Sequence, residues 1–319
     1  MIRRISFLLV AFIGLVSCGD KKPAAGDETE ISGTISLDGS STVFPLSEAV
    51  AEEFGLKNPK ARVTVGESGT GGGFKKFGRG EIDICDASRP IKDSEKAACD
   101  SAGISYIALE IAYDGIAITV NPQNTWVDKL TIAELKMIWE TAAQDKIKTW
   151  DQVRPGFPKE PMHLYGAGTA SGTFDFFTEE ICGKKGASRG DYTASENDNQ
   201  LVTGVAGDKG GLAYFGMAYY ENNKEKLKIV PVDNNNGGVI PTQETVLNKT
   251  YSPLSRPLYI YINEKALARP EVKAFVTFYI DNAATLSKDV GYVPCEENVY
   301  ASQKELLRSA IEKVSPAAK

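Results

Sequence analysis

Three times in this chain a short apolar strand runs into a turn of serine, threonine and glycine, and a helix follows. The segments are Asp38-Gly-Ser-Ser-Thr-Val-Phe-Pro45, Glu67-Ser-Gly-Thr-Gly-Gly-Gly-Phe74 and Gly166-Ala-Gly-Thr-Ala-Ser-Gly-Thr-Phe174. Around them apolar runs alternate with amphipathic stretches. The periodicity predicts strands at 35–37, 62–65, 82–84, 104–109, 116–120, 163–165, 212–215, 229–232 and 258–262. It predicts helices at 45–54, from about 72, and at 93–102, 131–139, 271–284 and 298–313. Thr131-Ile-Ala-Glu134 and Ser195-Glu-Asn-Asp198 are capping-box patterns. Such alternation constrains the chain to an α/β fold with mostly parallel sheet and helices on both faces.

The N-terminus sets the compartment. Arg3 and Arg4 precede an apolar run from Ile5 to Val16, then Ser17-Cys18-Gly19. A charged start, a short apolar centre and a small-residue cleavage site make an export signal over residues 1–17. Cys18 at the cut resembles a bacterial lipobox, whose cysteine becomes the lipid-bearing N-terminus. Residues 19–32 are polar and lack aromatics, so 18–32 reads as a flexible tether. No later segment has an apolar run of membrane length.

Without residues 1–17 the chain keeps 34 Lys and Arg against 42 Asp and Glu. A net charge near −8 argues against nucleic acid or an anionic lipid face as partner. Four cysteines remain beside Cys18, and export permits disulfides. Cys85–Cys99 is the first pairing expected and Cys182–Cys295 the second, although four cysteines allow three connectivities. His163 is the one histidine and no Cys-x-x-Cys occurs, so neither metal nor cofactor is expected.

The turns carry the candidate chemistry. Ligands of open α/β sheets bind beyond the carboxyl ends of the strands, where helix N-termini offer unpaired N–H groups. Glycine permits close backbone approach, and Ser and Thr add neutral donors. Three such turns meeting would surround a small tetrahedral oxyanion. The plainer reading makes each Ser or Thr an N-cap. None is a Walker loop or a dinucleotide fingerprint. A fourth segment, Asp83-Ile-Cys-Asp-Ala-Ser-Arg-Pro-Ile91, ends a strand with Ser88 and Arg89; Arg89 suits oxyanion oxygens or a salt bridge to a nearby acid. Arg189, Tyr192 and Asn199 precede a helix and could reach the same place.

These segments, with Leu130-Thr-Ile-Ala-Glu-Leu135 and Gly291-Tyr-Val-Pro294, resemble in order and spacing the phosphate-binding proteins of bacterial high-affinity phosphate ABC transporters. The resemblance spans about residues 33–314. It implies a type II periplasmic-binding-protein fold with two lobes, 33–114 with 257–319 and 115–256, joined by crossovers near 113–118 and 255–259. It implies phosphate held by Ser41, Thr42 and the Val43 amide, by Ser68 or Thr70, and by Ser171, Gly172 and Thr173. Two positions depart from the family pattern. Its usual arginine falls on Ala167, and its usual proton-accepting aspartate falls on Arg89. An exchange of charges would make Arg89, beside Ser88, the cation; Glu67, then Asp38 or Asp198, would take the proton. The implied protein is a monomeric, lipid-anchored binder outside the cytoplasm that hands phosphate to an ABC permease. Its rivals are a binder of sulfate or molybdate, a phosphate-sensing lipoprotein and an exported phosphatase. The phosphatase lacks a metal cluster and a Ser or Cys nucleophile beside His163.

Overall fold

Strand and helix alternate as the apolar pattern requires in the computed structural model, which describes residues 30–235 and 237–314. The signal segment, Cys18 and the tether up to residue 29 lie outside the described residues. β1 (Ser32–Gly39), α1 (Phe44–Lys57), β2 (Lys60–Glu67), α2 (Thr70–Phe77), β3 (Ile84–Ala87) and α3 (Asp93–Ser101) come first. β4 (Tyr106–Val120), β5 (Leu130–Thr131), α4 (Ile132–Trp139), β6 (His163–Ala167), α5 (Gly172–Cys182) and β7 (Thr193–Ser195) follow. Next are α6 (Asp198–Ala206), β8 (Gly211–Gly216), α7 (Met217–Glu221), β9 (Lys228–Ile229), β10 (Val232–Asp233) and α8 (Gln243–Leu247). β11 (Ser255–Asn263), α9 (Pro270–Asp289) and α10 (Glu297–Val314) end the described chain.

The main sheet runs β2-β1-β3-β11-β4-β8-β6-β7, with β9 beside β4. It is mixed rather than mostly parallel. β1 lies parallel to β2 and β3, and β6 parallel to β7 and β8, whereas β4 and β11 run antiparallel to their neighbours. Parallel register aligns the strand ends. Gly39 lies beside both Glu67 and Asp86, so the turns after β1, β2 and β3 leave the sheet at one level. Ala167 lies beside Ser195 in the same way.

Residues 104–109 and 116–120 are not two strands. From Tyr106 onward they belong to β4, a single strand of 15 residues. Its first part pairs with β11 and its last part, Ile116–Val120, pairs with β8. The polar break at Asp114 misleads because the residue is buried and satisfied by a cross-strand cation, Arg256 on β11.

Helical spacing sets the packing. In α9, Val272, Phe275, Val276, Tyr279, Ile280 and Ala283 recur on one buried face. Phe275 meets Phe54 of α1 edge-on at 5.3 Å. On the other side of β4, Phe177 stacks on Tyr214 at 3.9 Å, and Trp139 packs edge-on against both. Fully burying one such ring contributes roughly 1.5–3 kcal/mol. Thr131 and Glu134 form the expected capping box, Thr131 Oγ1 accepting from the Glu134 amide at 3.1 Å. The second expected box does not form. Ser195 ends β7, and Asn197 caps α6 by accepting from the Asn199 amide.

The disulfide pairings are corrected. Cys85, Cys99, Cys182 and Cys295 are all free thiols. Cys85 and Cys99 are core residues in a cluster with Phe74, Phe77 and Tyr261, where they fill apolar space as small hydrophobes. Cys182 ends α5 near Lys136 of α4 and Glu140 just beyond its end, while Cys295 lies against Glu110 and Tyr300, a different neighbourhood.

Candidate functional site

Building the first turn from its backbone shows which groups remain unused. Gly39 has φ +146°, and a side chain there would collide with the Asp86 carbonyl. The Ser40 amide donates to that carbonyl at 3.0 Å. The amides of Val43 and Phe44 both donate to the Ser40 carbonyl. The Val43 amide is therefore committed within the turn; the Ser41 and Thr42 amides have no carbonyl acceptor. Their carbonyls are pinned from behind. Tyr219 donates its hydroxyl to the Ser41 carbonyl at 2.7 Å, and Tyr292 donates to the Thr42 carbonyl. A planar trans peptide then aims the next N–H the opposite way.

Helix capping does not explain the hydroxyls of the first two turns. α1 has Val43 at its N-cap and α2 has Gly69, neither with a side-chain cap. Ser171 alone of the three is an N-cap, accepting from the Thr173 amide at 3.0 Å. The turns converge instead. Thr42 Oγ1 lies 3.0 Å from Thr173 Oγ1, and Ser41 Oγ donates to Asp198 Oδ1 at 3.4 Å. Thr70 Oγ1 accepts from the Ser88 amide at 3.2 Å. Gly172 presses on that pair: a methyl in its place would overlap Ser88 Oγ and lie 2.7 Å from Thr70 Oγ1. Ser41, Thr42, Thr70, Ser88, Ser171 and Thr173 are all buried.

The cation at the centre is Arg256, which the sequence reading did not single out. Its Nη2 donates to Thr173 Oγ1 at 2.7 Å, Thr42 Oγ1 at 3.0 Å and Asp114 Oδ2 at 3.1 Å. Its Nη1 is buried with no hydrogen-bond partner. An arginine opening an apolar strand, and a lone aspartate inside one, were the available signals, since buried charges require partners. Arg89, the expected cation, is spent elsewhere. Its Nε donates to Asp175 at 2.7 Å, and its two Nη atoms donate to both Glu95 oxygens and the Pro90 carbonyl.

The candidate acids separate by surroundings. Asp38 is engaged by Lys76 at 2.5 Å and by the Ser68 hydroxyl, so Ser68 is turned away from the cluster. Glu67 accepts from Asn197 at 2.9 Å and keeps one buried oxygen unpartnered. Burial, with Glu48 nearby, pushes its carboxyl up to about 7. Asp198 is fully buried beside Ser41, with Oδ2 unpartnered. Burial pushes it up to about 7 against the opposing pull of the Gly216 amide and Arg256. Burial also raises Asp114, with Arg256 opposing. Asn199 is exposed, and its amide donates to the Asn197 cap of α6. Arg189 is tied to Asp191 and to the Ile138 and Ile147 carbonyls, and Tyr192 to the Ala167 carbonyl, as structural supports.

A pH dependence follows from two buried acids, Asp86 and Asp198, and the half-buried Glu67. Burial pushes Asp86 up to about 8 against the opposing pull of the Ser47 hydroxyl. Glu67 and Asp198 stand near 7. Acids raised on folding bind more protons folded than unfolded, so their stabilisation is complete below the ordinary carboxylate range and is lost as pH rises through 7–8. The ligand-free protein should therefore melt at a higher temperature at pH 5.5 than at pH 8.5. Asp86→Asn should flatten that slope; an unchanged slope would show that Asp86 ionises freely in the fold.

A buried donor, a buried acceptor and several hydroxyls at strand-to-helix turns suit an anion that carries a proton. Residues 24–283 match the PBP superfamily domain. The chain belongs to that superfamily. It is 51% identical over 276 residues to protein SphX of Synechococcus elongatus, covering 86% of this chain and 81% of the relative. It is 38% identical to phosphate-binding protein PstS of Staphylococcus epidermidis, covering 96% and 92%. A solved phosphate ABC transporter substrate-binding protein of Clostridium perfringens, with bound phosphate, superposes with TM-score 0.71 at 29% identity. That match covers 83% of this chain and 100% of the other. The chain is thus a homologue of the PstS phosphate-binding proteins with their α/β fold, a family of transport binders rather than enzymes.

Proposed function

We propose that this chain captures one inorganic phosphate ion between two lobes and delivers it to an ABC permease. The observation that carries this reading is the pairing of Arg256 Nη1, a buried donor without a partner, with Asp198 Oδ2, a buried acceptor without one. Arg256, the Ser41 and Thr42 amides, and the Thr42, Ser41 and Thr173 hydroxyls donate to phosphate oxygens. Thr70, Ser88 and Gly172 brace the turns. Asp198 accepts from the P–OH group. An ionised carboxylate only accepts, so fully ionised sulfate meets opposed lone pairs there.

The lobes are 33–114 with 257–319 and 115–256, and β4 and β11 carry the chain between them. Thr42 and Thr173 now touch at 3.0 Å, so an ion between them requires the turns to part. Phosphate then favours the closed arrangement by contacting both lobes. The protein acts outside the cytoplasm as a monomer, tethered through lipid on Cys18 after removal of residues 1–17. The homologues' names support this reading over a sulfate binder, and the orphan acceptor supports it independently. Calorimetric titration of the protein from residue 19 onward tests it. Phosphate should bind one to one and sulfate at least about a hundredfold more weakly, the cost of one unmet buried acceptor. Equal affinity would overturn the assignment of phosphate.

A further inference from the structure

Arg89 stands where the resemblance places a ligand-contacting acid, yet four of its five N–H groups are already used by protein acceptors. Glu95 takes both Nη atoms in a bidentate pair at 2.7 and 2.8 Å, and is itself held by the Lys92 amide at 2.9 Å. The guanidinium lies against the Phe74 ring at 5.5 Å, which fixes its plane. Its Nε reaches across to Asp175, in the first turn of α5, and Lys92 Nζ joins the same carboxylate oxygen at 2.5 Å. Two cations and two carboxylates leave no net charge to attract an anion. The Arg89 and Asp175 side chains are 3% and 7% exposed, so their attraction is little screened.

Asp175 is one half-turn from Thr173, whose hydroxyl meets Thr42 and Arg256. Gly172, immediately before Thr173, rests on Ser88, Thr70 and the Arg89 side chain; only glycine fits there. Along the same seam the Gly71 amide donates to the Ala170 carbonyl at 2.8 Å. A pull on Asp175 is therefore transmitted by a rigid helix start to the hydroxyls of the site. Arg89, Lys92, Glu95 and Ala170 also line an open cavity of about 420 Å³, which gives solvent a way in when the pair separates.

We infer that Arg89 is a positioning residue: with Lys92 it locks Asp175 of α5 across the cleft and sets how long a bound anion is retained, without touching the anion. The inference rests on the reading of the site as a two-lobed anion cleft. In Asp175→Asn, radiolabelled phosphate should dissociate roughly tenfold faster, the scale of one charge-assisted hydrogen bond. Its association rate should be unchanged, because the lock forms after encounter. The ligand-free variant should show a larger radius of gyration by small-angle scattering than the unaltered protein. Lys92→Met, which cuts the exposed arm of the lock, should shift dissociation the same way by less. Arg89→Met should also speed dissociation, and its effect should not add to that of Asp175→Asn in the double variant.

Dissociation and radius both unchanged in Asp175→Asn would overturn the lock. So would an Arg89→Met variant that melts normally, loses phosphate binding altogether and leaves the Asp175→Asn effect additive, since that is the behaviour of a direct ligand. Should the unaltered protein bind no phosphate, the reading of the site fails, and the scattering comparison still decides the lock.

Discussion

Arg256→Met lowers phosphate affinity by at least about a hundredfold in this account, more than any other single change. Truncating one partner of a buried, hydrogen-bonded charge pair costs about 2–5 kcal/mol, and every 1.4 kcal/mol is about tenfold in affinity. Arg256 carries the only buried guanidinium nitrogen among the described residues that is left without a protein acceptor. The substitution also strands Asp114, a fully buried carboxylate ion-paired to Arg256, so the fold is stressed as well. The two effects separate in a double variant. Asp114→Asn with Arg256→Met removes the stranded charge and should recover much of the melting temperature while binding stays lost. Recovery of binding together with stability would mean that Arg256 only holds β4 to β11. Titration calorimetry and a thermal melt on the same three proteins measure both quantities.

Asp198→Asn has the second largest effect, and it falls on discrimination. The amide oxygen still accepts a hydrogen bond, so phosphate binding survives, weakened about tenfold by loss of a charge-assisted bond. Sulfate gains, because the carboxylate lone pairs no longer oppose its oxygens. The ratio of the two affinities should collapse toward one. Burial holds the Asp198 carboxyl at about 7 in the ligand-free protein. Above that pH the group is an obligate acceptor and selects against sulfate most strongly; below it the protonated acid donates, and the selection fades. The unaltered protein should therefore discriminate better at pH 8.5 than at pH 5.5, and Asp198→Asn should show no such trend. Glu67→Gln is the control, since Glu67 also stands near 7 but accepts from Asn197. If Glu67→Gln abolishes the trend and Asp198→Asn does not, the acceptor is Glu67.

The turns were legible because their chemistry is local. Ser, Thr and Gly between an apolar strand and a helix state their own geometry, and Gly39, Ser171 and Gly172 sit where such turns need them. The Thr131–Glu134 box is equally local, three residues apart. Arg256 was not legible because its meaning lies in register. It faces Asp114 only because β11 runs antiparallel to β4 with Arg256 opposite that residue, 142 positions away. Arg89 misled for the same reason. Its partners are Glu95, in the capping turn of α3, and Asp175, on a helix 86 residues on. On sequence Asp198 stands level with Asp38 and behind Glu67, since nothing short-range tells a surface cap residue from one that a neighbouring turn buries. The cysteines misled through sequence proximity: Cys85 and Cys99 share one apolar cluster, yet both remain thiols.

A crystal structure of the protein with phosphate tests the central claim most directly. One ion should lie between the Thr42 and Thr173 hydroxyls, with Arg256 Nη1 and Asp198 Oδ2 each within about 2.5–3.1 Å of a different phosphate oxygen. Arg89 should remain on Glu95 and Asp175. An ion held by Arg89, or one seated at the surface while Arg256 Nη1 and Asp198 Oδ2 stay unpaired, would contradict it.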